Sequence, residues 1–145
     1  MPCWFELGTS DLEGAAKFYA AVLGWETDKH SMEGMEYWLA KSGQDLVAGI
    51  MINPHQKVPP HWLIYLAVDN CDQMSQAIHA DGGRTHKGAE DIPGTGRYAV
   101  MSDPQGAVFG IIQLEAMQEG EDSCGPAFQQ DKAGHGNWIE LMSSD

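Results

Sequence analysis

The chain has 145 residues, 43% of them apolar, with five Trp, four Tyr and four Phe. That is enough for one packed domain and argues against disorder. Its 21 acidic residues against 8 Lys plus Arg give a formal charge of −13 and no basic patch, which excludes nucleic acid and anionic membranes as partners. Three cysteines at wide spacing, no signal-peptide pattern and no apolar run of membrane length point to a reducing compartment, the cytoplasm. Cys3 and Cys71 read as small buried hydrophobes, and Cys124, in the polar stretch "EGEDSCGP", as exposed. None of the three sits in a nucleophile motif.

In chain order, an extended segment around Trp4 leads into "SDLEGAAKFYAAVLG". Asp11 caps this helix, Leu12, Ala15, Ala16, Tyr19, Val22 and Leu23 form its apolar face, and Gly24 stops it. Three β-like stretches follow, "WETDKH", "MEYWLAKSG" and "DLVAGIMI", and the loop "INPHQKVPP" ends the run. The pattern then repeats. Trp62 precedes Asp69 by seven residues, as Trp4 precedes Asp11, and Asp69 is spaced thirteen from Gly82, as Asp11 is from Gly24. The second helix has Asp69 as its cap and Cys71, Met74, Ala77 and Ile78 on its apolar face. "RTHKGAED", "GRYAVMSD" and "AVFGIIQL" complete the second unit, with a turn at Asp103-Pro104-Gln105-Gly106. Residues 1–54 and 60–114 thus read as two βαβββ units, 115–136 as a linker on which Met117 and Phe128 could dock, and 137–145 as an extra C-terminal strand opening on Trp138.

"ELGTSDLEGAAKFYAAVLGWE" resembles the first strand and helix of the vicinal-oxygen-chelate superfamily, which includes glyoxalase I, bleomycin-resistance proteins and extradiol dioxygenases. "HWLIYLAVDN…ADGGRTHKGAEDIPGTGRYAVMSDPQGAVFGIIQ" resembles its second unit throughout, and "GNWIEL" looks like the start of the second half of tandem members. The resemblance implies an α+β fold. Two βαβββ units form an open, curved sheet around a pocket with the helices outside, plus the short C-terminal strand. It places the Trp4 face in the pocket and Phe5 and Leu7 under the first helix. On the last strand it turns Val108, Gly110 and Ile112 inward, with Phe109 and Ile111 under the second helix.

The same resemblance implies a divalent metal on four His, Glu or Gln ligands, one from the first and one from the last strand of each unit. Carried over, these positions fall on Trp4, on Ala48 or Gly49, on Leu63 or Trp62, and on Gly110, none of which holds a metal. The expectation is a pocket with no metal and no cofactor. Its walls are Trp4, Glu6, Trp38, Trp62, Tyr65, Val108 and Gly110; Tyr37 and Trp38 point to opposite faces, so only one of them lines it. Such a wall suits a small apolar or aromatic molecule. Glu6, on the inward face, is a candidate acid–base group and alternatively a hydrogen-bonded structural carboxylate. The alternatives to binding are an enzyme that uses Glu6, and a metal-dependent lyase or dioxygenase of the superfamily. "GAEDIPGTG", over 88–96, carries no phosphate motif and reads as a mobile rim. The apolar residues of the C-terminal strand imply a homodimer, with that strand docked at a sheet edge or exchanged between chains.

Overall fold

The computed structural model describes residues 1–32, 34–55, 57–115 and 124–143. The predicted βαβββ order occurs twice. The first run is β1 (Pro2–Thr9), α1 (Leu12–Leu23), β2 (Glu26–Met32), β3 (Met35–Ser42) and β4 (Asp45–Ile52). The second is β5 (His61–Ala67), α2 (Cys71–Ala80), β6 (Arg84–Ile92), β7 (Gly96–Ser102) and β8 (Val108–Leu114). This is the α+β architecture expected from the sequence.

α1 begins where Asp11, in extended backbone, accepts a hydrogen bond from the Gly14 N–H at 2.9 Å. It ends at Gly24, whose φ of 70° is the left-handed conformation that glycine adopts without strain. The cap of α2 is one residue later than expected. Asn70, not Asp69, accepts from the Gln73 N–H at 2.9 Å. Both side chains are competent caps, so propensity does not choose between them. Cys71, with no exposed surface, fixes the helical phase and leaves Asn70 at the boundary.

β1 runs parallel to β4, and β2–β3 and β3–β4 are antiparallel, giving the order β2-β3-β4-β1. The second run repeats this as β5-β8-β7-β6, with β5 parallel to β8. Register decides which side chains share a face. Leu7 is opposite Ile50, and Ile50 opposite Trp38; these pack with Leu12 and Ala16 of α1 into one core. In the second run Ile111, Ala99 and Met101 pack with Val68 and Cys71 at α2, with Phe109 and Ile78 beside them. Phe109 and Ile111 therefore lie under the second helix, as period-two alternation predicts. On α1 the expected face is shorter than predicted. Tyr19 stacks on Trp25 at 5.3 Å, while Val22 and Leu23 in the last turn stay exposed.

The chain divides into two compact units. The first comprises Trp4–Leu63 and Gly125–Trp138; the second comprises Met1–Cys3 and the described parts of Ile64–Cys124 and Ile139–Asp145. The segment expected to be a linker is in part a docked element. Met117 lies outside the described residues, but Phe128 does dock, stacking on Phe5 at 6.4 Å. Backbone bonds between Ala127, Gln129 and Gly136 close a small loop, and Trp25 Nε1 donates to the Gly134 carbonyl at 2.7 Å. Gly136 has no room for a side chain, because a Cβ there would lie 2.2 Å from the Phe5 ring. No hydrophobic period marks this segment, and Met117 and Phe128 are the residues by which its sequence points to docking.

Lys132 and His135 both bond to the Asp45 carboxylate. Lys132 first, and His135 second, hold the Asp45 carboxyl below its ordinary value of 3.8. A depressed carboxyl contributes stability above the ordinary range and loses it as pH falls through the lowered value. Acidification below about pH 4 should therefore loosen 125–137 while the sheets persist. NMR of the Trp25 indole N–H across this range checks it; a signal that stays unchanged until global unfolding would count against the coupling.

Two further expectations are corrected. Residues 137–143 lie in no strand, and Trp138 and Leu141 are 70% and 65% exposed. A strand exists by pairing its N–H and C=O groups in a ladder with a neighbour, and no such ladder forms there among the described residues. Cys124 is buried, not exposed, and its carbonyl accepts from Cys3 Sγ at 3.7 Å. Burial, and then the contact with Cys124, push the Cys3 thiol up to about 12. Iodoacetamide at pH 8 should leave Cys3 unmodified in the folded protein and alkylate it in denaturant, which peptide mass spectrometry would read. Rapid native labelling of Cys3 would overturn that burial.

Candidate functional site

In the first unit, the sheet face opposite α1 carries Glu6, paired in register with Gly49, which is in turn opposite Leu39. Tyr37 is opposite Met51 on that same face. Trp4 Nε1 donates to Tyr37 Oη at 2.9 Å, and Tyr37 Oη donates to Glu6 Oε2 at 2.9 Å. An indole is only a donor, so the direction of this chain is fixed: the phenol oxygen accepts one hydrogen bond and its hydroxyl donates the other to the carboxylate. Three residues of the predicted face are thus joined, one of them not foreseen. Tyr37 is the member of the Tyr37–Trp38 pair that lies there.

Trp38 is on the opposite face. It is 3% exposed and packs with Leu7, Leu12 and Ile50 in the core. Trp62 is likewise on the α1 side, its Nε1 bonded to Tyr19 Oη at 3.1 Å and its ring edge-on to Trp25. Both corrections follow from strand period. Trp62 and Tyr65 are three apart in one strand and cannot share a face.

In the second unit, Tyr65 is opposite Gly110, which is opposite Val100. Val108 and Gly110 share strand parity, as predicted, and Val108 is 47% exposed. The Tyr65 ring lies over Gly110, and Tyr98, two residues from Val100, tilts against Tyr65 with ring centroids 6.1 Å apart. Lys87 extends over the Tyr98 ring, 4.8 Å from its centroid, donates to Tyr98 Oη, and pairs with Glu90 at 3.1 Å. Burial works against the charge on Lys87, but Tyr98 and Glu90 outweigh it and raise the Lys87 ammonium above its ordinary value. Sequence reasoning missed Lys87 and Tyr98, because the bulges in the β6–β7 pairing at Thr85/Lys87 and Lys87/Glu90 break simple alternation. The expected rim over 88–96 is the end of β6 and its turn into β7; a Cβ on Gly96 would fall 2.0 Å from the Gln113 carbonyl oxygen.

A separate groove of about 460 Å³ in the first unit is lined by Ser10, Ile52, Asn53, Val58 and Pro59. Asn53 donates to the Val58 carbonyl and accepts from the His55 N–H. These bonds hold the proline-rich loop in place, which is a structural task.

The chain belongs to the Glyoxalase/Bleomycin resistance protein/Dioxygenase superfamily, whose model matches residues 3–111. It is 42% identical over 118 residues to a Mycobacterium bovis protein named "Putative glyoxylase CFP32", covering 79% of this chain and 44% of that one. It is 28% identical over 159 residues to anthracycline biosynthesis protein DauV of Streptomyces sp. (strain C5), covering 99% of this chain and 55% of that one. The chain thus spans about half the length of the curated relatives it matches. Among solved structures it is similar to methylmalonyl-CoA epimerase from Mycobacterium tuberculosis, with a TM-score of 0.57, 14% identity, and coverage of 78% of this chain and 87% of that one. At that identity the likeness is one of fold.

The metal that the family resemblance implies is tested by the side chains at its four positions. Trp4 offers a donor hydrogen and no lone pair. A Cβ on Gly49 would lie 1.9 Å from Tyr37 Oη, and one on Gly110 would lie 2.2 Å from Tyr65 Cδ1. The space a ligand side chain needs is filled, at both glycines, by a tyrosine. Ala48 belongs to the core under α1, and neither Leu63 nor Trp62 has a coordinating atom. No cluster of three His, Cys, Asp or Glu suited to a metal occurs among the described residues. These residues do not fit the group. No described helix is long and apolar enough to cross a membrane.

Proposed function

We propose that this chain binds a small planar organic molecule on its tyrosine-bearing sheet faces without a metal ion. The observation that carries the reading is the pair of glycines at the family's last-strand ligand positions, each roofed by a tyrosine ring. Tyr37 and Tyr98 keep part of their rings exposed on these faces, and flat aromatic surface with few polar groups favours flat apolar ligands. The Streptomyces relative is named for anthracycline biosynthesis, which supports a planar aromatic class. The relatives are named for different activities, so no single substrate is carried over. Titration of chelator-treated protein with naphthamide, followed by tryptophan fluorescence, tests the reading. Saturable binding that weakens in Tyr65→Ala is expected; absence of saturation by any planar aromatic would overturn it.

The second reading is an enzyme that uses Glu6, favoured by the 2.9 Å bond from Tyr37 that orients one carboxylate oxygen. Once a turnover is found, Glu6→Gln with unchanged kcat/KM would exclude it. The reading also includes a cytoplasmic homodimer. Exposed Phe18, Val22, Trp138 and Leu141 offer apolar surface that a second copy would cover. Light scattering of the intact chain should give twice the chain mass; a monomer at micromolar concentration would remove this part.

A further inference from the structure

We propose that Lys87 and Tyr98 form an anion-recognition dyad, which reads a carboxylate or phenolate oxygen on a ligand whose ring rests beside Tyr65. This inference deepens the binding reading and rests on it.

Lys87 donates to Tyr98 Oη, so the phenol oxygen spends a lone pair inward and keeps its own hydrogen for another acceptor. Among the described residues no acceptor takes that hydrogen. Its donor is therefore available, beside an ammonium that has two further hydrogens, one of them facing Glu90. A phenol polarised by an adjacent cation is the kind of donor that stabilises a ligand oxyanion. The ring contacts set the place. Tyr98 is held by Tyr65 on one side and by the Lys87 ammonium over its ring, which fixes both the hydroxyl and the cation relative to the Tyr65 surface.

Glu90 is the competitor for the cation. Its bond to Lys87 is 3.1 Å, with the two side chains 59% and 41% exposed. An ion pair that wet is weak and is displaced at little cost by a better-placed carboxylate. The overall charge of −13 disfavours anions near this protein. A preference for an anionic ligand would therefore have to arise locally, and Lys87 is the cation that bonds to Tyr98.

The probes are naphthoate and naphthamide, which differ in charge and share shape. Titrated into the full chain, naphthoate should bind roughly tenfold more tightly than naphthamide, as expected for charge-assisted over neutral hydrogen bonds. Lys87→Met should abolish the preference, with the melting temperature as the check that the variant is folded. Tyr98→Phe should weaken naphthoate more than naphthamide. Glu90→Gln should strengthen naphthoate binding about threefold by removing the competitor, a gain that no loss of structure can produce. Equal affinity for both probes, or a preference that survives Lys87→Met, would overturn the dyad and leave the binding reading standing. Failure of both probes to bind would remove the two together.

Discussion

Trp38→Ala is expected to cost about 3–5 kcal/mol of folding stability, the range for emptying a buried aromatic site. Trp38 is 3% exposed, and its ring fills the space among Leu7, Leu12, Ile50 and Ala16. Lys29 crosses its outer face 4.3 Å from the ring centroid. Truncation would open a cavity between sheet and helix that the rigid strand pairs cannot close. The melting temperature should fall by on the order of 10 °C. Urea unfolding of the variant measures this directly. Trp38→Phe makes the control. The indole nitrogen is buried without an acceptor, so replacing it by phenyl loses volume yet removes an unmet donor, and should cost much less than alanine. A Trp38→Ala protein of native stability but weakened ligand binding would instead put this ring on the ligand face.

Gly110→Ala is expected to destabilise by about 1–3 kcal/mol through overpacking, and to weaken binding of any planar probe. The new methyl would meet Tyr65 at 2.2 Å, on ring carbons close to the side-chain root. Tyr65 is 5% exposed and cannot swing aside without breaking its contact with Tyr98. The effect should therefore depend on the ring. In a Tyr65→Ala background the same methyl has room, so the double variant should be more stable than the sum of the two single costs predicts. Additive costs, measured by denaturant unfolding, would show that the tyrosine does not occupy the glycine's side-chain space.

The repeated βαβββ order was readable because helix caps, turn residues and apolar period agree with one another over the whole repeat. Asp11 and Gly24 mark α1 with chemistry that few other conformations use. The faces of β1 and β8 were readable too, since alternation needs only a starting phase. What escaped the sequence has three physical causes. Trp38 and Trp62 were assigned by residue type, an aromatic in a strand, when the register with Ile50 and the packing on Tyr19 put them under α1. Lys87 and Tyr98 come together across a bulged pairing, where a one-residue shift changes the face and nothing local announces the shift. The docking of 125–137 depends on contacts remote in sequence, Phe5 with Phe128 and Asp45 with His135, which no short-range pattern encodes. The absence of ligand-type side chains at the four family positions was legible; the tyrosines that fill the space beside the glycines were not.

Tyrosine rings stand where this family would place metal-ligand side chains. Elemental analysis of the full chain, purified without chelators and then dialysed against Mn²⁺, Ni²⁺ or Zn²⁺, tests it most directly. With Tyr37 and Tyr65 filling the spaces at Gly49 and Gly110, no divalent ion should be retained in stoichiometric amount. One ion per chain surviving dialysis, and lost from Glu6→Gln or from a histidine variant, would contradict it.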